Sequence, residues 1–374
     1  MKKLISILCA VCFFNTSVLA ATPPEVNAKS MILMEQSTGE VLAENMADEK
    51  LPIASVTKIM TLLLIMESLD SGKIKIDDVV TVSDNAMSMG GSTMFLEAGE
   101  ELTVSELIKG IAVASANDGC VAMAEFLTGS EEAFISLMNE RARELGMVNT
   151  QFKNTNGLDE EGHYSSARDV AIMSRELMKY EKIFEYTTIW TGRMNNDKYE
   201  LSNTNKLIRF YSGANGLKTG STSGAGCCIS ATAKRDGLGF IAVVLGAPTS
   251  NDRFNGARAL LDFGFANYAL ENAFSDDEKP IYVKVLKGVI DNVRVTAENP
   301  SVLIEKSKKN NIQVKVEIPK EVQAPIKKGE KLGEVRLLLE GETLGVRDLV
   351  AEEDVVKKGF VQYFTSVLCN FLNI

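Results

Sequence analysis

The segment Leu51-Pro52-Ile53-Ala54-Ser55-Val56-Thr57-Lys58-Ile59-Met60 places a hydroxyl and an amine three residues apart, where a proline-bounded stretch becomes an apolar run. The run Ile59–Leu69 predicts a helix, and positions i and i+3 of a helix share a face, so Ser55 and Lys58 should point into the same space. Serine is a weak nucleophile until a base takes its proton, and lysine is such a base only when its pKa is lowered. The S-x-x-K pattern is common by chance, so its meaning depends on the rest of the chain.

The beginning of the chain predicts export. Residues 1–20 have a basic start, an apolar centre from Leu4 to Phe14 and a small-residue cleavage site at Val18–Ala20, as in a secretory signal peptide. The apolar centre is too short to span a bilayer. The remainder is too long for one ordinary domain, which predicts two. The formal net charge of −10 argues against a nucleic-acid partner.

The hydrophobic pattern predicts an α+β fold around a five-stranded antiparallel sheet. Helices from the middle of the chain and a further helix from Arg253 to Leu270 would pack on this sheet. The five predicted strands are a first hairpin and three later runs: Ser30–Gln36, Glu40–Glu44, Asn215–Thr222, Cys227–Ala233 and Gly239–Gly246.

A linker-like stretch at 275–280 separates the first domain from a region of short, strand-like runs. We therefore expect a signal peptide at 1–20, a large domain at 21–274, a small all-β domain at 275–350 and a C-terminal amphipathic helix at 351–374. The β-domain contains no constellation of chemical groups, so we expect it to serve as a spacer or docking module.

The tail of the chain predicts a membrane contact. Its large apolar residues recur at steps of three and four and would form one stripe on a helix: Phe360, Phe364, Val367, Leu368, Phe371 and Ile374. A helix of this length and polarity suits the membrane interface better than a crossing. The alternative is an amphipathic helix docked on the protein itself.

The cysteines and the single histidine carry little chemical signal. Outside the signal peptide the cysteines are Cys120, Cys227, Cys228 and Cys369, whose spacing predicts neither a disulfide framework nor a zinc site. We expect small buried hydrophobic residues, with a bridge from Cys120 to Cys227 or Cys228 as the alternative. The only histidine, His163, lies among loop formers and is expected to be structural.

Two further motifs join the first. Ser115-Ala116-Asn117 lies at a predicted break between helices, and Lys218-Thr219-Gly220 lies on a predicted strand. Each has an ordinary reading, as a helix cap and as a strand edge. Together and in this order they form the S-x-x-K, S-x-N and K-T-G set typical of penicillin-binding proteins and class A β-lactamases.

With these motifs, the chain resembles the low-molecular-mass penicillin-binding proteins of the serine-type D-alanyl-D-alanine carboxypeptidase (peptidase S11) family. The resemblance runs from about Val26 to Val350 and includes Pro52–Lys58, Ala114–Asp118, Asn156–Asp159, Ser166–Asp169 and Asn215–Gly220. It implies a penicillin-binding-protein/β-lactamase-like transpeptidase domain at 21–274, with a β-domain and a tail that anchors the enzyme to the outer face of the cytoplasmic membrane. Many members of the family have histidine or tyrosine where Ser221 stands, and some have histidine where Asn156 stands. Both departures leave the substrate preference open.

Chemistry and resemblance together imply the roles of the site residues. Ser55 would attack the carbonyl between the last two D-alanines of a peptidoglycan stem peptide, and Lys58, helped by the charge of Lys218, would take its proton. Ser115 would relay the proton to the leaving amine. Backbone N–H groups of Ser55 and Ser221 would form the oxyanion hole. The residues expected to bind substrate are Asn117, Lys218, Thr219, Gly220, Ser221 and Arg253. No metal or cofactor is expected, and β-lactams should bind covalently.

Three alternatives remain at this point. A class A β-lactamase needs a glutamate in an E-x-x-L-N pattern on a loop between the second and third motifs, whereas the predicted loop 154–166 offers only Glu160 and Glu161, without that pattern. An S-x-x-K glutaminase is a second, more distant alternative among the enzymes. The alternative from another class is a binding protein that has kept the site, as a catalytically silent scaffold or β-lactam sensor. Because every reactive side chain is present, the sequence gives this alternative little support. The sequence leaves open whether the substrate is a monomeric stem peptide or cross-linked glycan, and whether the enzyme serves growth or sporulation.

Overall fold

A computed structural model of the chain describes residues 22–194, 198–272, 280–297, 301–339 and 341–360, with Gln362 and Phe364. The predicted signal peptide, 1–20, and the tail beyond Phe364 lie outside the described residues. Among the described helices, none is both long and apolar enough to cross a bilayer.

The first part of the chain is an α+β unit. Its strands are β1 (Ser30–Glu35), β2 (Val41–Asn45), β3 (Val79–Thr81), β4 (Glu101–Thr103), β5 (Thr191–Met194), β6 (Tyr199–Ser202), β7 (Ala214–Thr222), β8 (Gly226–Arg235) and β9 (Leu238–Ala247). Its helices are α1 (Lys58–Asp70), α2 (Asp84–Met87), α3 (Val104–Lys109), α4 (Asn117–Thr128), α5 (Glu131–Glu144), α6 (Ala167–Leu177), α7 (Phe184–Thr187), α8 (Leu207–Phe210) and α9 (Ser250–Asn267). Short 3-10 turns span Ala54–Thr57 and Glu181–Ile183, and a π-helical turn spans Gly110–Ala114.

The central sheet has the strand order β2-β1-β9-β8-β7 and is antiparallel throughout, which confirms the predicted five-stranded sheet. Side chains alternate between its faces. On one face, Ile32 and Val243 pack with the core of α1 and α6. On the other, Leu33 and Val244 pack with α9. The sheet is therefore covered on both faces. Strand β7 lies at the edge of the sheet, with no partner on its outer side among the described strands, and it is close to α1.

The predicted end of the last helix was wrong. Helix α9 ends at Asn267, and Tyr268–Asn272 form an extended strand, β10, instead of the predicted continuation to Leu270. Strand β10 pairs antiparallel with β13 (Ser301–Glu305), which places Leu270 opposite Leu303. A short apolar run does not by itself distinguish helix from strand, and here pairing with a distant segment decides.

The second part of the chain is all-β, as predicted. Its other strands are β11 (Ile281–Leu286), β12 (Asn292–Ala297), β14 (Ile312–Glu317), β15 (Glu321–Gln323), β16 (Lys331–Leu339) and β17 (Glu342–Ala351), with a 3-10 turn at Lys306–Asn311. They form one sheet in the order β14-β16-β17-β12-β11-β15 around an aliphatic core. The sequence did not predict β15, a three-residue strand too short to show alternation. The domain boundaries at 274 and 350 stay a prediction.

Candidate active site

Ser55 and Lys58 meet as the sequence predicted. Ser55 lies in the 3-10 turn Ala54–Thr57, rather than in the α-helix itself, and Lys58 is the first residue of α1. The Nζ atom of Lys58 lies 2.9 Å from Ser55 Oγ. This is the hydrogen-bond contact that a base needs with its nucleophile.

Lys58 is completely buried and has three hydrogen-bond acceptors. Besides Ser55 Oγ, its Nζ contacts Asn117 Oδ1 at 2.6 Å and the backbone carbonyl oxygen of Asn156 at 2.7 Å. Burial lowers the pKa of Lys58 to about 8, against a weaker opposing influence of Cys120 and Asp118. A lysine with this pKa is neutral in roughly one molecule in ten at pH 7, far more often than an ordinary lysine, and only the neutral form is a base.

Lys218 is the second buried amine of the site. It lies on β7, is 1% exposed, and its Nζ donates to the carbonyl oxygen of Thr219 at 2.9 Å. Its pKa is lowered, first by burial and then by repulsion from Lys58. For Lys58, burial rather than the expected charge of Lys218 is the first cause of the lowered pKa.

The second motif lies at a break between helices, as predicted. The π-helical turn Gly110–Ala114 ends at Ser115, whose φ of +66° is left-handed, and α4 begins at Asn117. The Asn117 side chain accepts from Lys58 and donates through Nδ2 to the carbonyl oxygen of Gly90 at 2.7 Å. Asn117 therefore connects Lys58 to the loop at 88–99, while Ser115 is 4% exposed at the turn.

Asp118 is a site residue that sequence reasoning missed. Its carboxylate accepts hydrogen bonds from the backbone N–H groups of Met94, at 2.9 Å, and Leu96, at 3.2 Å. It lies directly after the S-x-N motif and fixes the loop that Asn117 also contacts. The signal was available as the next residue of the motif, but its partners are backbone atoms more than twenty residues away, which no pattern marks.

Gly220 explains how β7 comes close to Ser55. A Cβ atom at Gly220 would lie 2.7 Å from the backbone nitrogen of Ser55 and 2.9 Å from the carbonyl oxygen of Ile53. Only a glycine permits the K-T-G strand to run this close to the 3-10 turn. Gly220 thus sets the spacing between Ser55 and Ser221, whose backbone N–H groups are the predicted oxyanion hole.

The loop at 154–166 closes the site from a third side. Its Asn156 carbonyl accepts from Lys58, and a Cβ atom at Gly157, where φ is +89°, would lie 1.9 Å from the carbonyl oxygen of Ala54. Asn156 therefore enters the site through its backbone, a role that its side-chain identity could not predict.

Thr219 contacts a residue that the sequence did not single out. The Oγ1 atoms of Thr219 and Thr204 lie 2.7 Å apart, and Thr204 is exposed. The backbone N–H of Thr204 donates to the carbonyl oxygen of Val113 at 3.2 Å. Thr204 therefore links the third motif to the helix end that precedes Ser115.

Arg253 supports β7 from behind. Its guanidinium donates to the carbonyl oxygens of Gly220 at 3.0 Å and Cys228 at 3.4 Å, and to Ser250 Oγ at 3.1 Å. The side chain is 8% exposed, and burial lowers its pKa. These contacts stabilise the strand that carries the K-T-G motif, and a direct contact with substrate stays a prediction.

His163 has the structural role that the sequence predicted. Its Nε2 lies 2.8 Å from Thr57 Oγ1, and its Nδ1 accepts from the backbone N–H of Lys153 at 3.1 Å. Burial lowers the pKa of His163 to about 4, so the ring is neutral at physiological pH. The histidine thereby fixes the 154–166 loop against the turn that carries Ser55.

The three cysteines that the structure describes are free thiols. Cys120 and Cys228 are buried, and Cys227 is half-buried, as expected for neighbours that face opposite sides of a strand. The alternative of a bridge from Cys120 to Cys227 or Cys228 is not formed. Burial raises the pKa of Cys120 to about 12, so this thiol is protonated beside the two lysines. Cys369 lies outside the described residues.

Comparison with known proteins gives a consistent result over most of the chain. A family model described as D-alanyl-D-alanine carboxypeptidase matches residues 17–249, and one described as the C-terminal domain of penicillin-binding protein 5 matches residues 268–357. The D-alanyl-D-alanine carboxypeptidase DacF of Bacillus subtilis is 48% identical over 90% of this chain and 88% of its own.

Two solved structures extend the likeness to the fold. Penicillin-binding protein 5 of Haemophilus influenzae superposes with a TM-score of 0.77 at 31% identity and covers 90% of this chain and 100% of its own. Penicillin-binding protein D2 of Listeria monocytogenes, solved in its ampicillin-bound form, has a TM-score of 0.59 at 30% identity over 64% of this chain and 98% of its own.

Proposed function

The chain belongs to the D-alanyl-D-alanine carboxypeptidase family, and we propose that it removes the terminal D-alanine from peptidoglycan stem pentapeptides through an acyl-enzyme on Ser55. The observation that carries this proposal is the contact of 2.9 Å between Ser55 Oγ and the buried Nζ of Lys58. It joins a nucleophile to an amine whose pKa burial has lowered to about 8.

In the acylation step, neutral Lys58 takes the proton of Ser55 as Oγ attacks the carbonyl carbon between the two D-alanines. The carbonyl oxygen becomes an oxyanion, which the backbone N–H groups of Ser55 and Ser221 stabilise. The C–N bond then breaks, and Ser115 relays a proton to the departing amine of D-alanine. The close approach at Gly220 supports this arrangement, because it brings β7 against the turn that holds Ser55.

Substrate binding uses the other motif residues. Lys218 and Thr219 bind the terminal carboxylate, with Gly220 and Ser221 along the same strand and Arg253 as the support behind it. A bound carboxylate would favour the protonated form of Lys218 and so offset the lowering of its pKa by burial. Asn117 uses one N–H of its amide on Gly90 and keeps the other for the substrate backbone.

Water completes the cycle by releasing the acyl-enzyme. With a peptide, the leaving D-alanine diffuses away and admits water near Lys58. With penicillin, the leaving amine stays tethered within the acyl group and blocks that approach, so the complex should be long-lived. The ampicillin-bound relative supports binding of β-lactams by this fold.

The β-lactamase alternative gains no support from the site. Of its two candidate glutamates, Glu160 is exposed and accepts from Asn154 Nδ2 at 3.0 Å, and Glu161 is exposed. A β-lactamase needs a glutamate that activates water at the acyl-enzyme. The intact Ser55–Lys58 contact also disfavours a catalytically silent scaffold.

We further propose that the protein is exported by residues 1–20 and acts in peptidoglycan biosynthesis, cell-wall biogenesis and cell-shape maintenance at the outer face of the cytoplasmic membrane. The apolar stripe of the tail, 351–374, would anchor it there as a peripheral protein. Phe360 and Phe364, the described members of that stripe, are 86% and 58% exposed, which is compatible with a partner outside the domain.

One experiment separates the peptidase from its rivals. The purified mature chain is incubated with a diacetylated Lys-D-Ala-D-Ala peptide, and D-alanine release is followed alongside penicillin turnover. We expect many turnovers of peptide and a stoichiometric block by penicillin. Rapid penicillin hydrolysis without D-alanine release would contradict the proposal, and inertness towards both would favour a scaffold. Mass spectrometry of muropeptides then distinguishes monomeric from cross-linked substrate.

A further inference from the structure

The loop at 154–166 and strand β7 both pack against the turn that carries Ser55. On the loop, a Cβ atom at Gly157 would lie 1.9 Å from the carbonyl oxygen of Ala54. On β7, a Cβ atom at Gly220 would lie 2.7 Å from the backbone nitrogen of Ser55. Because approaches this close leave no room for a side chain, both segments are fitted to the turn through their backbones. The turn therefore lies between two walls of the cleft.

The two walls meet again at Asp159, two residues after Gly157. The hydroxyl of Thr222 on β7 donates to Asp159 Oδ1 at 2.6 Å. The N–H of Gly224 donates to Asp159 Oδ2 at 3.1 Å, and the hydroxyl of Ser223 lies 3.5 Å from the same oxygen. A Cβ atom at Gly224 would lie 3.1 Å from both carboxylate oxygens, so the carboxylate lies directly against the backbone after β7. We name the hydrogen bonds of Asp159 with Thr222 and Gly224 the latch.

The latch holds an end of the sheet that few other contacts restrain. Among the described strands, β7 pairs only with β8, on one side. The end of an edge strand and the turn that follows it open locally at low cost unless another part of the chain holds them. Thr222 Oγ1 also accepts from the N–H of Ala225 at 3.0 Å, so a chain of hydrogen bonds runs from the turn through Thr222 to Asp159. The loop at 154–166 thus ties the end of β7 from outside the sheet.

The latch is next to the predicted oxyanion hole and farther from the predicted carboxylate site. Along β7, the proposed carboxylate ligands Lys218 and Thr219 come first, the proposed oxyanion donor Ser221 follows, and Thr222 is the next residue. An oxyanion hole is effective only when its N–H groups already point to the place where the oxyanion forms. A tie one residue beyond Ser221 restrains the direction of that N–H more than it restrains the carboxylate ligands.

We propose that Asp159 is a positioning residue for the reaction: through the latch it holds the N–H of Ser221 in line with that of Ser55, without touching the substrate. This rests on the proposed function and extends it to a residue outside the three motifs. Because the oxyanion exists only in the transition state and the intermediate, loss of the latch slows acylation and leaves the preceding binding step unchanged.

Stopped-flow acylation of the full mature chain by fluorescent penicillin separates the limiting rate from the half-saturation concentration. Asp159→Ala should lower the limiting rate about tenfold, less than the roughly 10²–10³-fold cost of removing an oxyanion donor, and leave half-saturation within about twofold. Thr222→Val, which leaves the Gly224 bond, should lower it about threefold, and the double variant should match Asp159→Ala, because both changes break one tie. Asp159→Asn keeps an acceptor oxygen for Thr222 and should restore most of the rate. Glu161→Ala, an exposed acid on the same loop, is the matched control and should acylate normally.

The outcomes are distinguishable. If Asp159→Ala acylates at the normal limiting rate while the unchanged chain releases D-alanine, the latch is overturned and the proposed function stands. If only the half-saturation concentration rises, Asp159 is a substrate contact and its positioning role is wrong. If the double variant loses the product of the two single effects, Asp159 and Thr222 act separately and the latch is again overturned. If the unchanged chain neither binds penicillin nor releases D-alanine, both proposals are wrong. A melting curve checks folding, and should Asp159→Ala fail to fold, Thr222→Val and Asp159→Asn provide the same comparison.

Discussion

The two parts of the molecule differ in what they bury. Among the described residues, every buried polar or charged side chain lies between Ser30 and Arg253, whereas the core of the β-domain consists of valine, leucine, isoleucine and alanine. Burying a polar group costs free energy unless it is fully hydrogen-bonded. The first part of the chain carries this cost for two lysines, an asparagine and an aspartate, which lie together in the candidate site.

The charges of the β-domain sit at its surface. Lys331 and Asp348 form an ion pair at 2.6 Å, but their side chains are 52% and 49% exposed. Exposed pairs of this kind contribute about 0–1 kcal/mol and are screened by salt. The comparison therefore predicts that substitutions in the first part change activity and that those in the second change stability or docking.

The largest effect should come from Ser55→Ala. Removing the proposed nucleophile should reduce acylation by penicillin at least about 10⁴-fold, because the hydroxyl that penicillin would acylate is gone. Labelling with fluorescent penicillin and peptide mapping measure this, and a melting curve checks the fold. Undiminished labelling, or a label on another residue, would show that the chemistry is located elsewhere.

Leu337→Ala should do the reverse. Leu337 is fully buried in the β-domain, so its truncation should lower that domain's free energy of unfolding by about 2–5 kcal/mol. Acylation at a temperature where the domain stays folded should remain within about twofold of the unchanged chain, an expectation from the absence of site contacts. Denaturant unfolding and acylation kinetics give the two readouts. A large loss of acylation in the folded variant would break the division between the two parts.

Substituting one glycine in each part of the molecule by alanine sharpens the comparison, and Gly220→Ala is the change in the first part. Its new methyl group would lie 2.7 Å from the backbone nitrogen of Ser55, so the strand must shift and acylation should fall by about 10²-fold. The matched control is Gly345→Ala on β17, where the nearest atom, Cγ2 of Val302, is 3.2 Å away. The control should acylate normally. Equal rates for the two variants would refute the role of Gly220 in spacing.

The last prediction is a pH dependence that belongs to the first part alone. A lysine acts as a base only when neutral, and burial lowers the pKa of Lys58 to about 8. The second-order rate of acylation should therefore rise about tenfold per pH unit below pH 8 and level off above it. Stopped-flow acylation across pH 5–10 tests this, with Leu337→Ala as a control that should give the same profile. A rate that is flat through pH 7 would rule out Lys58 as the titrating base.

Residue spacing predicted much of this architecture. The three motifs converge because each combines a chemical group with a local structure that the pattern indicates: a helix start, a helix break and a strand. The central sheet followed from apolar runs and turn residues. Wherever side-chain type and short-range periodicity determine the structure, the sequence was sufficient.

What the sequence missed depends on atoms or pairings that no residue type marks. Asn156 contributes a backbone carbonyl, and Asp118 binds backbone N–H groups of a distant loop. Thr204 meets Thr219 only because two segments cross. The end of α9 was wrong because β10 finds a partner more than thirty residues later. Each depends on long-range geometry that one sequence does not reveal.

The three acceptors around Lys58 have a consequence in proton counting. A protonated amine has three N–H bonds and can satisfy Ser55 Oγ, Asn117 Oδ1 and the Asn156 carbonyl oxygen together. A neutral amine has only two N–H bonds and one lone pair. If Asn117 and Asn156 keep their bonds, the lone pair is left for Ser55, and the hydroxyl becomes the donor. Loss of one proton thus reverses the polarity of the contact while its atoms stay in place, so the resting site already has the geometry of the reactive one.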